Sequence, residues 1–355
     1  MNILTHWFQR NFFDPQVVFL ALLLLIVFAV VLTMGHMLAP VLASIVIAYL
    51  LEGLVGLLGR QGLPRFPSVV LVYVLFLLFV ALVLLGVMPL VSRQVADLVQ
   101  QLPTMISEGS RVLTTLPERY PDLVTPDQLD ALVASIRAET LNFGQHVLSW
   151  SLSSVVGVIT ILVYLILMPL LVFFFMKDKD LILDWFARLL PQHRGIASAV
   201  WLDVDRQISN YVRGKAWEIL IAWAANFAVF YGFGLKYAML LSLLVGLSVV
   251  IPYVGAAVAT VPVILVAWFQ WGWEPQFAWM LFAYFIVHAL DGNVLVPLLF
   301  SEVVDLHPVA IIVAILVFGG TWGFWGVFFA IPLATLVQAI LAAWPRHVTE
   351  DRPAD

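Results

Sequence analysis

Long apolar runs, separated by polar regions, alternate along this chain. Residues 17–34, 37–51, 67–90 and 148–176 are dominated by Leu, Val, Ile, Phe and Ala and contain no charged side chain. None shows the polar and apolar alternation of a membrane β-strand, and backbone in lipid must then close its own hydrogen bonds as helix. We therefore predict an all-α membrane part. Residues 1–90 would hold three helices. The first is expected to stay in the protein and not to be cleaved as a signal peptide, and the second is a short helix that starts after Gly35 and His36. Residues 148–176 would form a long fourth helix.

Two polar regions interrupt this pattern. Residues 91–147 hold four Arg and seven acidic residues, and Thr125-Pro126-Asp127-Gln128 has the form of a capping box, which predicts a small helical insertion. In residues 177–217 an apolar residue recurs at every fourth position from Ile196 to Val212. This spacing predicts amphipathic helices that lie on the membrane face or against the spans.

The C-terminal part, residues 218–345, divides into six apolar pieces that cover residues 219–235, 237–251, 253–271, 276–290, 307–318 and 322–344. The second and fifth pieces are too short to cross a bilayer comfortably. The second ends at Pro252 with Gly255 and the fifth at Gly319-Gly320 with Gly323, and each precedes a longer piece that contains a Pro. Short, broken segments at matching positions predict two re-entrant or discontinuous helices. The predicted hinge and re-entrant residues are Pro252, Gly255, Gly292, Gly319, Gly320, Gly323 and Gly326.

Composition decides the class of protein. Of 355 residues, 63% are hydrophobic and only 11% are charged, whereas soluble domains carry about a quarter charged residues. The chain is therefore predicted to be a polytopic membrane protein with about six to eight membrane segments. It contains no Cys, which excludes disulfides and thiolate metal sites, and its net charge of −5 argues against nucleic acid as a partner.

The distribution of basic residues predicts the orientation in the membrane. With a cytoplasmic N-terminus, twelve Lys and Arg residues fall on the cytoplasmic side and five on the other side. This asymmetry follows the positive-inside rule. It predicts an extracytoplasmic insertion at residues 91–147 and a cytoplasmic C-terminal tail at residues 346–355.

The candidate site is a polar stretch, residues 288–308, inside the longest apolar region. No Lys or Arg occurs between Lys236 and Arg346, yet this stretch is rich in acids, amides and imidazoles. Such groups are costly in a membrane unless they are paired or face a hydrated path. The predicted substrate or ion pathway comprises Asp291, Asn293, His288, Asn226, Glu302, Asp305 and His307, and Gly214 and Lys215 are predicted to couple it to movement.

Each candidate also has an alternative interpretation. Asp291 and Asn293 flank a predicted helix break at Gly292, where carboxylate and carbonyl oxygens suit a hard cation, but Asp291 also suits a backbone cap. His288 stands three residues before Asp291, on the same helical face, as a pH-dependent partner or as a core histidine.

The remaining candidates have the same ambiguity. Glu302 and Asp305 also fit a solvated loop, and His307 also fits a helix cap. Lys215 also fits a side chain that snorkels to the headgroups, and Asn226 and Glu52 are further polar groups in or at the edge of spans.

Motifs for common enzyme chemistry do not occur in the sequence. There is no H-E-x-x-H, G-x-S-x-G, G-x-G-x-x-G or phosphate-binding loop, and Gly214-Lys215 is followed by Ala216 where such a loop needs Ser or Thr. We therefore predict a protein that is not an enzyme, needs no cofactor and does not use ATP.

Six ordered motifs resemble the autoinducer-2 exporter family, in particular its PerM-type permease branch. They are Tyr211-Val-Arg-Gly-Lys, Ile251-Pro-Tyr-Val-Gly, Pro262, Asp291-Gly-Asn-x-Leu-x-Pro297, Leu306-His-Pro, and Gly320-x3-Phe-Trp-Gly326-x5-Pro332. The resemblance implies export of autoinducer-2 or, in other members, sodium/proton antiport. It also implies a ring-shaped homo-oligomer, which in this family is expected to be a pentamer, with an elevator-like moving domain. Many relatives have Gln and Glu where this chain has His288 and Asp291.

The sequence thus predicts a secondary transporter of the bacterial inner membrane, with both termini in the cytoplasm. It would move a small polar solute by alternating access, in contact with lipid and with further copies of itself. Two alternatives remain: a sodium/proton antiporter, with a monovalent cation as its partner, and a membrane scaffold that transports nothing.

Overall fold

The computed structural model of the chain describes residues 15–114, 134–135, 138, 155–189, 195–252, 254–300 and 307–343. Every element in these ranges is a helix, which confirms the all-α prediction. In chain order the α-helices are α1 (Pro15–Arg60), α2 (Arg65–Leu82), α3 (Met88–Thr114), α4 (Val155–Lys177), α5 (Lys179–Leu189), α6 (Gly195–Phe233), α7 (Ala238–Ser248), α8 (Val254–Trp271), α9 (Pro275–Leu290), α10 (Val296–Phe300) and α11 (Pro308–Ala343). Two π-helices, Val83–Val87 and Asp291–Leu295, join α2 to α3 and α9 to α10.

Many of these helices are apolar enough to cross a membrane. Five segments have both the length and the composition of a span: Met37–Arg60, Arg65–Gly109, Val204–Phe233, Val254–Trp271 and Pro275–Phe300. Four shorter apolar segments are Val163–Lys177, Ala238–Ser248, Val309–Gly323 and Trp325–Gln338. Large apolar side chains such as Leu85, Leu298 and Leu316 are exposed along them, as expected for surfaces that face lipid. The chain is a multi-pass membrane protein.

The N-terminal helices are longer than the sequence predicted. No break occurs between residues 34 and 37, because α1 is one helix of 46 residues, about 69 Å long. Pro40 lies inside it, and the hydroxyl of Ser44 donates to the Pro40 carbonyl over 2.6 Å. In lipid a break would leave backbone N–H and C=O groups without hydrogen-bond partners, so the helix continues through Pro40. Likewise, no helix ends at Leu90, since α3 continues the path of α2 through the π-helix Val83–Val87.

The predicted amphipathic stripe from Ile196 to Val212 does not form a helix of its own. It forms the first half of α6, which continues without a break into the apolar stretch up to Phe233. Of the predicted apolar stripe, Val204 and Val212 are buried and Ile208 is partly buried. The stripe therefore packs against other helices. The capping box at residues 125–128 lies outside the described residues.

The chain forms two compact units, each built from separate stretches of sequence. The first unit comprises Met1–Val74, Ile166–Ile219 and Asp291–Asp355, and the second comprises Leu75–Leu165 and Leu220–Leu290. The boundaries therefore fall within helices or at the start of the π-helix Asp291–Leu295. They do not coincide with the linear domains expected from composition. The composition of a segment reflects whether it lies in lipid, whereas the two units are defined by contacts between helices.

In the second unit α7 and α8 form a tight antiparallel hairpin. The amide of Lys236, just before α7, donates to Gln270 Oε1 near the end of α8 over 2.7 Å. At the other end, a Cβ on Gly255 would lie 1.7 Å from the carbonyl oxygen of Ser248, so only glycine fits there. With 11 residues, α7 extends about 16 Å, roughly half of the hydrocarbon thickness. The short helix predicted before Pro252 is present, with Pro252 in the turn.

In the first unit α11 is also broken, at Gly323, one of the predicted hinge residues. Its helical conformation is interrupted at Gly323, where φ is 59° and ψ is −137°. Gly319 and Gly320 remain helical. A Cβ on Gly326 would lie 1.8 Å from the carbonyl oxygen of Phe318, which is the same close approach as that of Gly255 to Ser248.

Candidate functional site

The most unusual feature of the spans is an ion pair buried in α6. Lys215 is 6% exposed and Glu218 is 3% exposed, and Nζ of Lys215 lies 2.6 Å from Oε2 of Glu218. Residues three apart face the same side of a helix, so the helix itself aligns the pair. Charges in a membrane span are costly and are found mainly on functional paths. This pair is therefore the core of the candidate site.

A second carboxylate, that of Asp291, belongs to the same charged group. Asp291 starts the π-helix after α9, and its charge interacts with the ammonium of Lys215 and with the carboxylate of Glu218. Its Oδ1 atom is buried and accepts no hydrogen bond within the described part of the chain. The charges of two carboxylates and one ammonium thus interact. We call Lys215, Glu218 and Asp291 the charged triad.

Aromatic and apolar groups surround the charged triad. The ring of Phe300, the last residue of α10, lies with its centroid 5.2 Å from Nζ of Lys215 and 5.9 Å from the ring of Tyr211. A Cβ on Gly214 would be 2.9 Å from Cε1 of Phe300, so Gly214 lets the ring approach α6. Gly214 and Lys215 were predicted as a coupling element, and in the structure they hold α6 against α10.

The predicted helix break at Gly292 is wrong. Residues Asp291–Leu295 form one turn of π-helix, which continues as α10. The wider turn shifts the carbonyl to amide pairing by one residue, and such π-turns inside α-helices are frequent at functional sites. Asn293 is exposed within this turn. The turn therefore redirects the chain at Asp291 without ending the helix.

His288 and Asn226 lie in the second unit. The imidazole of His288 contacts the ring of Tyr284 edge-on, with 4.4 Å between centroids, and its Nε2 is buried without a partner among the described residues. Asn226 is 1% exposed and donates from Nδ2 to the carbonyl of Ala222 over 2.8 Å. The pairing of His288 with Asp291 stays a prediction.

The other candidates have local contacts or lie outside the described ranges. His307 caps α11, since the amide of Val309 donates to its Nδ1 over 3.2 Å. Glu52 in α1 forms ion pairs with Arg65 at 3.1 Å and Lys179 at 3.7 Å, which are the first residues of α2 and α5. Glu302 and Asp305 lie outside the described residues. Within the described ranges no three His, Asp or Glu side chains converge as metal ligands do.

Sequence reasoning missed Glu218. Its signal was available, because a Glu three residues after Lys215 opens the apolar run 219–235. An acid at that spacing pairs with the lysine on one helical face. The sequence pattern predicts a span that begins after Lys215, so this lysine is expected to couple the pathway to movement or to snorkel, without a partner on the same helix. The continuous α6 places both residues well inside a span.

Apolar helices, two short segments with glycine-dependent turns and a buried charged triad define a class: polytopic helical membrane proteins with a polar site inside their spans. The sequence profile of the AI-2E family transporters matches residues 17–346 of this chain. The chain therefore belongs to the AI-2E family of transporters, which confirms the resemblance of its motifs.

Individual relatives agree with this membership. The chain is 45% identical over 346 residues to PerM of Escherichia coli strain K12, which carries the name of a permease, and the match covers 97% of this chain and 98% of PerM. It is 27% identical to YrrI of Bacillus subtilis strain 168 over 264 residues, which is 74% of each chain. YueF of the same strain is 28% identical over 262 residues, 71% of this chain and 69% of YueF. Both Bacillus proteins carry the name of a transport protein.

Proposed function

We propose that this protein is a secondary transporter that moves a small polar solute across the bacterial inner membrane by alternating access, without ATP. The observation that carries the proposal is the charged triad of Lys215, Glu218 and Asp291 inside apolar spans. A buried ion pair adds little to stability compared with apolar side chains of the same size, so its presence in a span favours a functional role.

The charge of the triad supports coupling to a cation. When all three groups are ionised, two carboxylates and one ammonium leave one negative charge beside the rings of Phe300 and Tyr211. A proton or a monovalent cation at Asp291 would complete the charge balance, and its release on one side would drive the solute step. This same imbalance favours the second candidate function, sodium/proton antiport, in which the cation itself is the cargo.

The family description and the names of the relatives support the finer proposals. Because the family is that of AI-2E transporters, we propose export of a solute like autoinducer-2. We also propose a homo-oligomer, with the pentamer suggested by the resemblance.

The basic residues favour a cytoplasmic position for residues 60–65, residues 177–215 and the C-terminus. A single crossing of the continuous helix α1 would put its N-terminal end on the other side, in contrast to the cytoplasmic N-terminus expected from the sequence.

Transport by purified protein in proteoliposomes tests the proposal. We expect autoinducer-2 to accumulate in vesicles with wild-type protein, and the rate to fall at least tenfold in Asp291→Asn and Glu218→Gln. Asp180→Asn is the matched control. This carboxylate is exposed at the start of α5, and its contact with Arg65 is long, at 3.8 Å. Unchanged transport in both triad variants would remove the triad from the mechanism.

The same vesicles separate the alternatives. A pH gradient is imposed and followed with a fluorescent dye, with and without sodium ions. Sodium-dependent dissipation without movement of autoinducer-2 would replace solute transport by antiport. A scaffold would show neither activity and would copurify with a partner protein.

A further inference from the structure

Helices α6 and α9 run in opposite directions in the second unit. Nε2 of Gln276, at the start of α9, donates to the carbonyl of Phe233 at the end of α6 over 3.1 Å. Further from these ends, the rings of Phe230 and Tyr284 stack with 5.8 Å between their centroids. Tyr284 is held in place because its hydroxyl lies 2.7 Å from Oγ1 of Thr260 on α8. These contacts fix the register of the two helices.

This register sets Asn226 opposite His288. Asn226 lies one turn before Phe230 on α6, and His288 lies one turn after Tyr284 on α9. Residues four apart share a face of a helix. Because α6 and α9 are antiparallel, one turn toward the N-terminus of α6 and one turn toward the C-terminus of α9 move in the same direction. Asn226 and His288 therefore lie at the same height along the helix pair. The contact of the His288 ring with Tyr284 shows that the ring stays on that face.

Both side chains present a buried polar atom that has no partner in the described part of the chain. On Asn226 this atom is Oδ1, since Nδ2 is used by the carbonyl of Ala222, and on His288 it is Nε2.

The two atoms together define a chemistry. The amide oxygen only accepts hydrogen bonds, and an imidazole nitrogen either donates or accepts. Lipid satisfies neither atom, so buried polar atoms of this kind need a partner from water or a ligand. Hydroxyl groups both donate and accept, and they match this set without adding charge. The group contains no Lys, Arg, Asp or Glu, in contrast to the charged triad.

We infer that Asn226 and His288 form a binding site for an uncharged solute that carries hydroxyl groups. The inference rests on the proposed function, because this solute would be the one carried. It assigns recognition of the solute to the second unit and to neutral hydrogen bonds.

Ligand-induced stabilisation of the full-length protein in nanodiscs tests the site. The probes are glycerol, ribitol and glucose, with gluconate as a charged comparison. A bound probe raises the unfolding temperature in proportion to its affinity. We expect at least one neutral probe to stabilise the wild type, and Asn226→Leu and His288→Leu to weaken its binding by roughly tenfold or more, as for the loss of one hydrogen bond without water to replace it.

The apolar variants also distinguish a binding role from a structural one. Leu is similar in size to Asn and removes an unpaired polar atom, so without probe the unfolding temperature should be unchanged or higher in Asn226→Leu. Ser242→Ala is the control, because Ser242 is equally buried in the second unit but donates to the carbonyl of Met239 in its own helix. It should bind the probes like the wild type.

Three results would overturn the inference: no neutral probe binds, gluconate binds as strongly as the neutral probes, or both Leu variants bind like the wild type. A lower unfolding temperature of both Leu variants without probe would also overturn it, since the side chains would then serve the fold. Binding that depends on Asn226 in a protein that transports nothing would instead contradict only the proposed function.

Discussion

At the scale of single residues, the buried pair of Lys215 and Glu218 poses the main question. Removing charges from water is expensive, and their attraction repays the cost only with close geometry, such as the 2.6 Å contact seen here. Apolar side chains of similar size usually stabilise a fold as well or better. A pair retained inside a span is therefore explained better by function than by stability, and this explanation has measurable consequences.

Lys215→Met alone should destabilise the protein by about 3–5 kcal/mol, because it leaves Glu218 buried without its partner. The double variant Lys215→Met with Glu218→Leu should recover most of that loss but should still not transport. Denaturant unfolding of the solubilised protein measures the first effect, and proteoliposome transport measures the second. A double variant as unstable as the single one would show that the pair serves the fold.

Gly214→Ala should cost roughly 1–3 kcal/mol, as overpacking does, because the new Cβ would lie 2.9 Å from Cε1 of Phe300. A smaller side chain in Phe300→Leu should relieve part of this cost, which a double-mutant cycle would reveal. Gly56→Ala is the matched control in another helix, since no atom lies within 4 Å of its added Cβ. It should leave stability unchanged or raise it by about 0.5–1 kcal/mol. Additive effects of Gly214→Ala and Phe300→Leu would contradict the contact.

At the scale of elements, the two broken segments have the same kind of close backbone contact. Gly255 and Gly326 each follow a break and lie against a backbone carbonyl that precedes it, that of Ser248 or that of Phe318. The sequence predicted both short segments from their Gly and Pro residues. Of the predicted hinge residues Gly319, Gly320 and Gly323, only Gly323 is non-helical, and Gly292 lies inside a π-helix, because a glycine permits a break but does not require one. Packing decides which glycine is used.

Gly255→Ala and Gly326→Ala should each abolish transport and lower the unfolding temperature, because the added Cβ would lie 1.7 Å or 1.8 Å from a backbone oxygen that cannot turn away. Gly320→Ala is the control, since no atom lies within 4 Å of its Cβ and the residue is helical. Thermal unfolding and transport are measured for all three. A Gly255→Ala protein with wild-type stability would contradict the close packing of α7 and α8.

At the scale of the whole molecule, sequence order and spatial grouping differ. Residues 218–345 were expected to form one domain, yet Leu220–Leu290 belong to the second unit and Asp291–Asp355 to the first. The helix α6 contributes its first part to one unit and its last part to the other. Composition does not reveal this division, because all the helices are apolar for the same reason, the surrounding lipid.

The orientation of the chain can be tested because it contains no Cys. Single cysteines at Gly62 and at Glu274, both exposed between helices, give one thiol each. The positive-inside rule predicts that a membrane-impermeant maleimide modifies Gly62→Cys from the cytoplasmic side and Glu274→Cys from the opposite side. Right-side-out and inverted vesicles provide the two measurements. Labelling of both positions from the same side would contradict the proposed topology.

The sequence by itself determined the class, the helical fold and the location of polar groups within spans. These depend on the transfer of each residue between water and lipid, which is a local property. It also determined the family, through motifs whose order survives in the chain.

Only the tertiary structure decided which polar groups meet. The charge of Asp291 interacts with those of Lys215 and Glu218, and Phe230 stacks on Tyr284, because separate helices pack with one particular register. Register depends on side-chain shape and on close approaches such as that of Gly214 to Phe300. Hydrophobic patterns do not encode such contacts, since nearly every face of these helices is apolar.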